Sequence, residues 1–106
     1  MSLALDPKMS EASFQAKVLH LAHLFGWRTY HTHDSRRSNP GWPDVALWHP
    51  RRGQFVLAEL KAQKGRVSPA QVTTLAELQQ CGVDAYLWRP SDWPEIQALL
   101  TKGRPL

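Results

Sequence analysis

Phe55-Val56-Leu57-Ala58 is apolar at every position, and that constrains the fold more than any other stretch of the chain. A strand with one wet face alternates polar and apolar residues. An unbroken run this short instead reads as a central strand covered by helices on both sides. The run ends in Glu59-Leu60-Lys61, which places a carboxylate and an ammonium two residues apart and therefore on one face of the strand. Charges at the end of a buried strand call for a reason.

The neighbouring segments supply its partners. Val45 to His49 is a second strand, joined to residues 55–61 by the turn sequence Pro50-Arg51-Arg52-Gly53. Before it stands Gly41-Trp42-Pro43-Asp44. Pro43 lacks an N–H, favours an extended Trp42 and suits a strand start, so Asp44 falls at the mouth of its strand. If the two strands form a hairpin, Asp44 and Glu59 converge. Ser68-Pro69-Ala70-Gln71 then opens a helix with an N-cap Ser, Pro at the first helical position and Gln at the third, and that helix closes near Gly82. Residues 84–89 form a fourth strand, and a strand–helix–strand crossover of this length permits parallel pairing.

Upstream, Phe14, Val18, Leu21, Ala22 and Phe25 share a helical face between Ser10 and Gly26. Residues 27–32 alternate like a strand, and 33–42 read as a loop. Asp92 and Glu95 open a last helix that fades by Gly103, while residues 1–9 read as a flexible arm. The order is αβββαβα in one domain, residues 10–106, with a mixed central sheet flanked by helices. At 106 residues the chain can bury roughly two-thirds of its unfolded surface around one core. Most of the five tryptophans are expected in that core.

Thirteen Lys and Arg against nine Asp and Glu give a net charge of +4 and a pI near 9.6, which favours a polyanionic partner. Cys81, the lone cysteine, has no disulfide partner in the chain and reads as a small buried hydrophobe. With no apolar run of signal or membrane length, the expectation is a cytoplasmic protein without a membrane partner.

Two carboxylates and an amine brought together suit phosphodiester hydrolysis assisted by a hard cation, Mg²⁺ or Mn²⁺. Asp44 and Glu59 are the expected ligands, with the backbone carbonyl of Leu60 and the carboxylate of Glu11 as further ones. Lys61 would orient or deprotonate the attacking water, or stabilise the phosphate, and Gln71 would hydrogen-bond water, Lys61 or a phosphate oxygen. Each residue has a plainer reading: Glu59 and Lys61 as a solvated edge pair, Glu11 as a helix-dipole partner, Gln71 as a capping residue. His31, His33 and Asp34 suggest zinc, but no further Cys or His stands at suitable spacing. Arg36, Arg37, Arg51, Arg52, Lys64 and Arg66 lie in loops expected to flank the site and contact the DNA backbone. Trp42, beside Asp44, would meet an unpaired base or a dimer partner.

Glu11, Gly41-Trp42-Pro43-Asp44, Glu59-Leu60-Lys61 and Ser68-Pro69-Ala70-Gln71, in this order and on these element types, resemble the VRR-NUC domain of the PD-(D/E)xK nuclease superfamily. The resemblance covers nearly the whole chain. It implies a restriction-endonuclease-like core and a divalent-metal-dependent endonuclease acting on DNA. Short stand-alone members of the family further imply a homodimer that cuts branched DNA such as Holliday junctions. The rivals are a non-catalytic nucleic-acid-binding module of the same fold, and a nuclease subunit that needs a helicase or repair partner.

Overall fold

The computed structural model describes residues 4–32 and 40–102. Helix α1 (Glu11–Leu24) starts where the Ser10 side chain accepts the Ser13 N–H, and it buries Phe14, Val18 and Ala22. Phe25 falls at its C-cap and is exposed rather than part of the apolar face, because the helix ends before the chain turns at Gly26. Strands β1 (Arg28–His31), β2 (Val45–His49) and β3 (Gln54–Leu60) pair antiparallel in sequence order. A 3₁₀ turn, Pro50–Arg52, followed by Gly53, joins β2 to β3. Helix α2 (Pro69–Gln80) then carries the chain across to β4 (Asp84–Trp88), which pairs parallel with β3. After a 3₁₀ turn at Pro90–Asp92 the chain ends its described part in α3 (Trp93–Lys102).

Strand order β1-β2-β3-β4 makes β3 an interior strand. The register puts Val45, Leu47, Val56, Ala58, Leu60 and Trp88 on one face. There they form the core with Phe14, Val18 and Ala22 of α1 and Trp93, Ile96, Leu99 and Leu100 of α3. Trp27 joins them, donating its indole N–H to the Leu100 carbonyl at 2.9 Å. Leu5 and Met9 also pack on this core, so residues 4–9 are held against the domain although they form no regular element.

The opposite face is only partly covered. Helix α2 leans on β4 and is tied to it by the Gln79 amide, which donates to the Ala85 carbonyl at 2.9 Å. Toward β1 and the start of β3 this face is open, with Tyr30 and Phe55 63% and 47% exposed and Ala46 and Trp48 half-buried. Full cover of β3, expected from its apolar run, therefore fails at Phe55. A single crossover helix is too narrow for four strands. Cys81, expected to be buried, is exposed at the C-cap of α2, where the chain has already left the core.

Gly41 sits at φ +88°, and a Cβ there would stand 2.7 Å from both the Ala70 carbonyl carbon and Thr74 Oγ1. This contact holds the segment before β2 against the first turns of α2. Gly53 shares the left-handed conformation at φ +62° but faces open space. Gly53→Ala should therefore cost about 1 kcal/mol, the conformational penalty alone, whereas Gly41→Ala should cost at least about 2 kcal/mol. Urea denaturation of both variants checks the difference.

Candidate active site

The β2–β3 register, Val45 opposite Ala58, brings Asp44 and Glu59 abreast at one end of the hairpin. Asp44 is held from both sides. Its carbonyl accepts the Thr32 N–H at 3.1 Å, and its Oδ2 accepts the Leu60 N–H at 2.8 Å. The carboxylate thus caps the end of β3 while its second oxygen stays available.

Glu59 is only 1% exposed, and no donor among the described residues reaches either of its carboxyl oxygens. A buried carboxylate without donors is costly. Across the hairpin it meets the Asp44 carboxyl, which can bond to it only when one of the two holds a proton. Burial first, then the hydrogen bond and charge of Asp44, push Glu59 from its ordinary 4.5 up to about 9. The Lys61 ammonium works in the opposite direction, and Glu11 adds the last, upward contribution.

Lys61 stands just past β3, half-buried, with its N–H donating to the Trp88 carbonyl at 3.0 Å. Strand alternation puts its side chain on the face of Asp44 and Glu59. That is the same, incompletely covered face of the sheet that carries Tyr30 and Phe55. Gln71 closes a full capping box: its N–H donates to Ser68 Oγ at 3.1 Å and its Oε1 accepts the Ser68 N–H at 2.9 Å. Capping therefore uses the carbonyl end of the amide, and its Nε2 end is the one left for other work. Gly41 packs on the same turn of α2, which brings the Gly-Trp-Pro-Asp segment and Gln71 to one neighbourhood. The sequence offered Gly41 only as part of a motif; its role as a packing contact needed the tertiary structure.

Glu11 is exposed in the first turn of α1. Among the described residues no three His, Cys, Asp or Glu side chains come close enough to share a metal ion. The protein donor set at hand is thus the Asp44–Glu59 pair. Two converging carboxylates, one with both oxygens unsatisfied, fit a hard divalent cation that keeps several waters. The zinc reading gains nothing: His33 and Asp34 lie outside the described residues, as do Arg36 and Arg37.

The basic residues divide between the two ends of the sheet. Lys64 and Arg66 follow β3 at the carboxylate end of the sheet and are exposed, and Trp42, just before Asp44, is 49% exposed. Arg51 and Arg52 do not flank this end. They sit in the β2–β3 turn, roughly 20 Å along the hairpin from Asp44 at the usual rise per residue. Arg52 is moreover engaged: its guanidinium donates to the Leu100 and Thr101 carbonyls at 3.0 and 3.2 Å and lies over the Trp27 ring. It caps α3 and does not face DNA at the carboxylates. Arg51 is exposed at that far end. Hairpin geometry makes this separation unavoidable, because residues in the turn are the farthest from the open end.

Glu59 also fixes a pH dependence. In the metal-free protein the folded state binds a proton that the unfolded chain has released, between pH 4.5 and about 9. This contribution to stability is fully present below pH 4.5 and is lost as pH rises toward 9. In chelator, the urea midpoint of the wild type should therefore fall between pH 5 and 9 more steeply than that of Glu59→Gln, whose neutral amide cannot titrate. Parallel curves would show that Glu59 titrates normally.

Among known proteins, the family description of the VRR-NUC domain matches residues 7–92. The Fanconi-associated nuclease 1 homolog of Schizosaccharomyces pombe is 36% identical over 53 residues, and Fanconi-associated nuclease 1 of Homo sapiens is 37% identical over 51. Those alignments take in 50% and 48% of this chain but only 8% and 5% of the relatives. In fold the chain is similar to Hjc, a Holliday junction resolvase of Archaeoglobus fulgidus, with a TM-score of 0.50 and 19% identity over 74% of this chain and 67% of that one. This likeness assigns the restriction-endonuclease-like fold. The match over residues 7–92, with Asp44, Glu59 and Lys61 inside it, makes the chain a member of the VRR-NUC nuclease-domain family.

Proposed function

We propose that this nuclease domain is a divalent-metal-dependent endonuclease that hydrolyses DNA phosphodiester bonds, selects branched DNA such as four-way junctions, and works as a homodimer. The observation that carries the reading is the Asp44–Glu59 pair beside Lys61, with the Glu59 oxygens buried and without a donor among the described residues. Left to itself that arrangement is unfavourable, and a cation relieves it.

Asp44 and Glu59, with the backbone carbonyl of Leu60, would hold Mg²⁺ or Mn²⁺ in this reading, and Glu11 would add a carboxylate directly or through a water. When bound, the ion supplies charge neutralisation at the phosphate and lowers the pKa of water. Lys61 orients the attacking water or takes up its proton, and steadies the charge that builds on the phosphate oxygens. Gln71 fixes the first turn of α2 through its capping box and turns its amide Nε2 toward a phosphate or the water. The opening N–H groups of α2, with Lys64 and Arg66, receive the DNA backbone on this side. Arg36 and Arg37 extend that contact, and Trp42 offers its ring to an unpaired base. Arg51, at the far end, meets only a DNA arm that runs the length of the sheet.

Substrate shape is the finer part of the proposal. The fold relationship to a protein named as a Holliday junction resolvase supports a junction. So does the partly uncovered sheet face, where Tyr30, Trp48 and Phe55 offer the apolar surface that a second copy would bury. A two-fold dimer presents two sites to two strands.

Asp44→Asn and Glu59→Gln should each abolish cleavage while leaving the fold intact, and Lys61→Ala should lower turnover by at least ~10²-fold without a comparable loss of metal affinity. Gel assays with Mg²⁺, Mn²⁺ or EDTA on purified, folded variants check this. Either carboxylate variant still cutting would refute the assignment.

The substrate is tested by comparing four-way, flap, single-stranded and linear duplex DNA, together with sedimentation at the assay concentration. Preference for the junction by a dimer is expected, with affinity that falls steeply with salt and varies little with sequence. A monomer, or equal cutting of linear duplex, would leave a general nuclease.

A further inference from the structure

Arg89 stands one residue beyond β4, and the register of the two parallel strands, Leu60 opposite Trp88, sets it abreast of Lys61. Two cations side by side repel, yet the Arg89 guanidinium turns to the segment that follows Lys61. Its Nη1 donates to the carbonyls of Ala62 at 2.8 Å, Gln63 at 3.1 Å and Gly65 at 2.9 Å. One nitrogen with two N–H groups thus serves three carbonyl oxygens, one hydrogen being shared, and its positive charge strengthens these contacts. A second link runs alongside. Gln63 accepts the Ser91 N–H on Oε1 at 2.9 Å and donates from Nε2 to Ser91 Oγ at 3.0 Å.

The fastened segment, residues 61–67, has no regular structure of its own beyond a turn in which the Gly65 N–H meets the Ala62 carbonyl at 2.9 Å. It carries Lys61, Lys64 and Arg66, and it delivers the chain to Ser68, the N-cap of α2. Such a loop, left to its own backbone, samples many conformations. Among the described residues, every hydrogen bond of the Arg89 side chain ends on it.

We infer that Arg89 is a positioning residue for cleavage: by clamping the carbonyls of Ala62, Gln63 and Gly65 it fixes the Lys61 amine beside Asp44 and Glu59, without touching substrate itself. The inference rests on the nuclease reading above for the role of Lys61, but the clamp is a separate physical claim. Its Nη1 is taken up by backbone oxygens, and the residue sits in register with the one it places. Misplacing a reacting group by about an ångström can cost on the order of 10²-fold in rate, so the effect belongs in turnover rather than in DNA affinity.

The test combines kinetics with hydrogen exchange on the intact chain. Arg89→Ala should lower kcat at saturating junction DNA and Mg²⁺ by roughly 10²-fold, with DNA affinity changed far less. Arg89→Lys, which keeps a cation with three donors, should recover most of that loss. The double variant Lys61→Ala/Arg89→Ala should be no slower than Lys61→Ala alone, because a residue acting through Lys61 has nothing left to place. Amides of residues 62–67 should exchange faster in Arg89→Ala while those of β3 keep their protection. Wild-type turnover in a folded Arg89→Ala, losses that multiply in the double variant, or unchanged exchange in 62–67 would each overturn the inference. Should Arg89→Ala fail to fold, Arg89→Gln is read by the same measures. A wild type that cuts no DNA with either metal refutes the nuclease reading instead, and the exchange data still decide whether the clamp exists.

Discussion

The hydrogen bond from the Leu60 N–H to Asp44 Oδ2 is the constraint on which the candidate site depends. It fixes the end of β2 to the end of β3, so that the two carboxyl groups meet and cannot drift apart by a residue. A slip of one residue in a two-stranded register would turn every side chain to the opposite face. Glu59 would then enter the core between α1 and α3, and Lys61 would follow it. The bond also orients Asp44, with one oxygen committed to the backbone and the other left for chemistry. A structural role and a functional one are thus divided between two atoms of one side chain.

The sheet distributes cost and function unequally between its faces. One face is closed by α1 and α3 over a core of Val45, Leu47, Val56, Ala58, Leu60 and Trp88, and it supplies most of the hydrophobic stabilisation. The other is partly open, and there the carboxylates, Lys61 and the exposed aromatics lie. No donor among the described residues reaches either Glu59 oxygen, and only a proton shared with Asp44 can bond it. Binding and catalytic sites commonly retain local destabilisation of this kind, because the rest of the fold over-determines the geometry. The well-packed opposite face is what makes that possible here.

Cations on this chain serve two different ends, and composition cannot distinguish them. Arg52 and Arg89 direct their guanidinium groups at backbone carbonyls, the first at the end of α3 and the second at the segment after β3. Arg51, Lys64 and Arg66 are exposed. A net charge of +4 therefore overstates how freely the positive surface can meet a polyanion, because part of it is spent inside the molecule. Arg in particular suits this work, since its planar group reaches several acceptors at once.

Much of the fold was legible in the chain because its signals are local. The apolar run 55–58, the Ser-Pro-Ala-Gln helix start and the Pro43-Asp44 strand start each depend on steric or hydrogen-bonding preferences of a few adjacent residues, and all three elements form where expected. Convergence of Asp44 with Glu59 followed from the same reasoning, since a short turn between two strands leaves little choice of register. What the sequence could not contain was distance through space. The opposite placement of Arg51 and Arg52, the exposure of Phe25, Phe55 and Cys81, the packing of Gly41 on α2 and the grip of Arg89 on residues 62–65 all join segments remote along the chain. Sequence by itself determined which elements form and which residues can do chemistry, through local preference and alternation. Only the tertiary structure decided which cations remain free, which face stays open and how deeply Glu59 is buried, because these depend on how the packed elements divide the solvent between them.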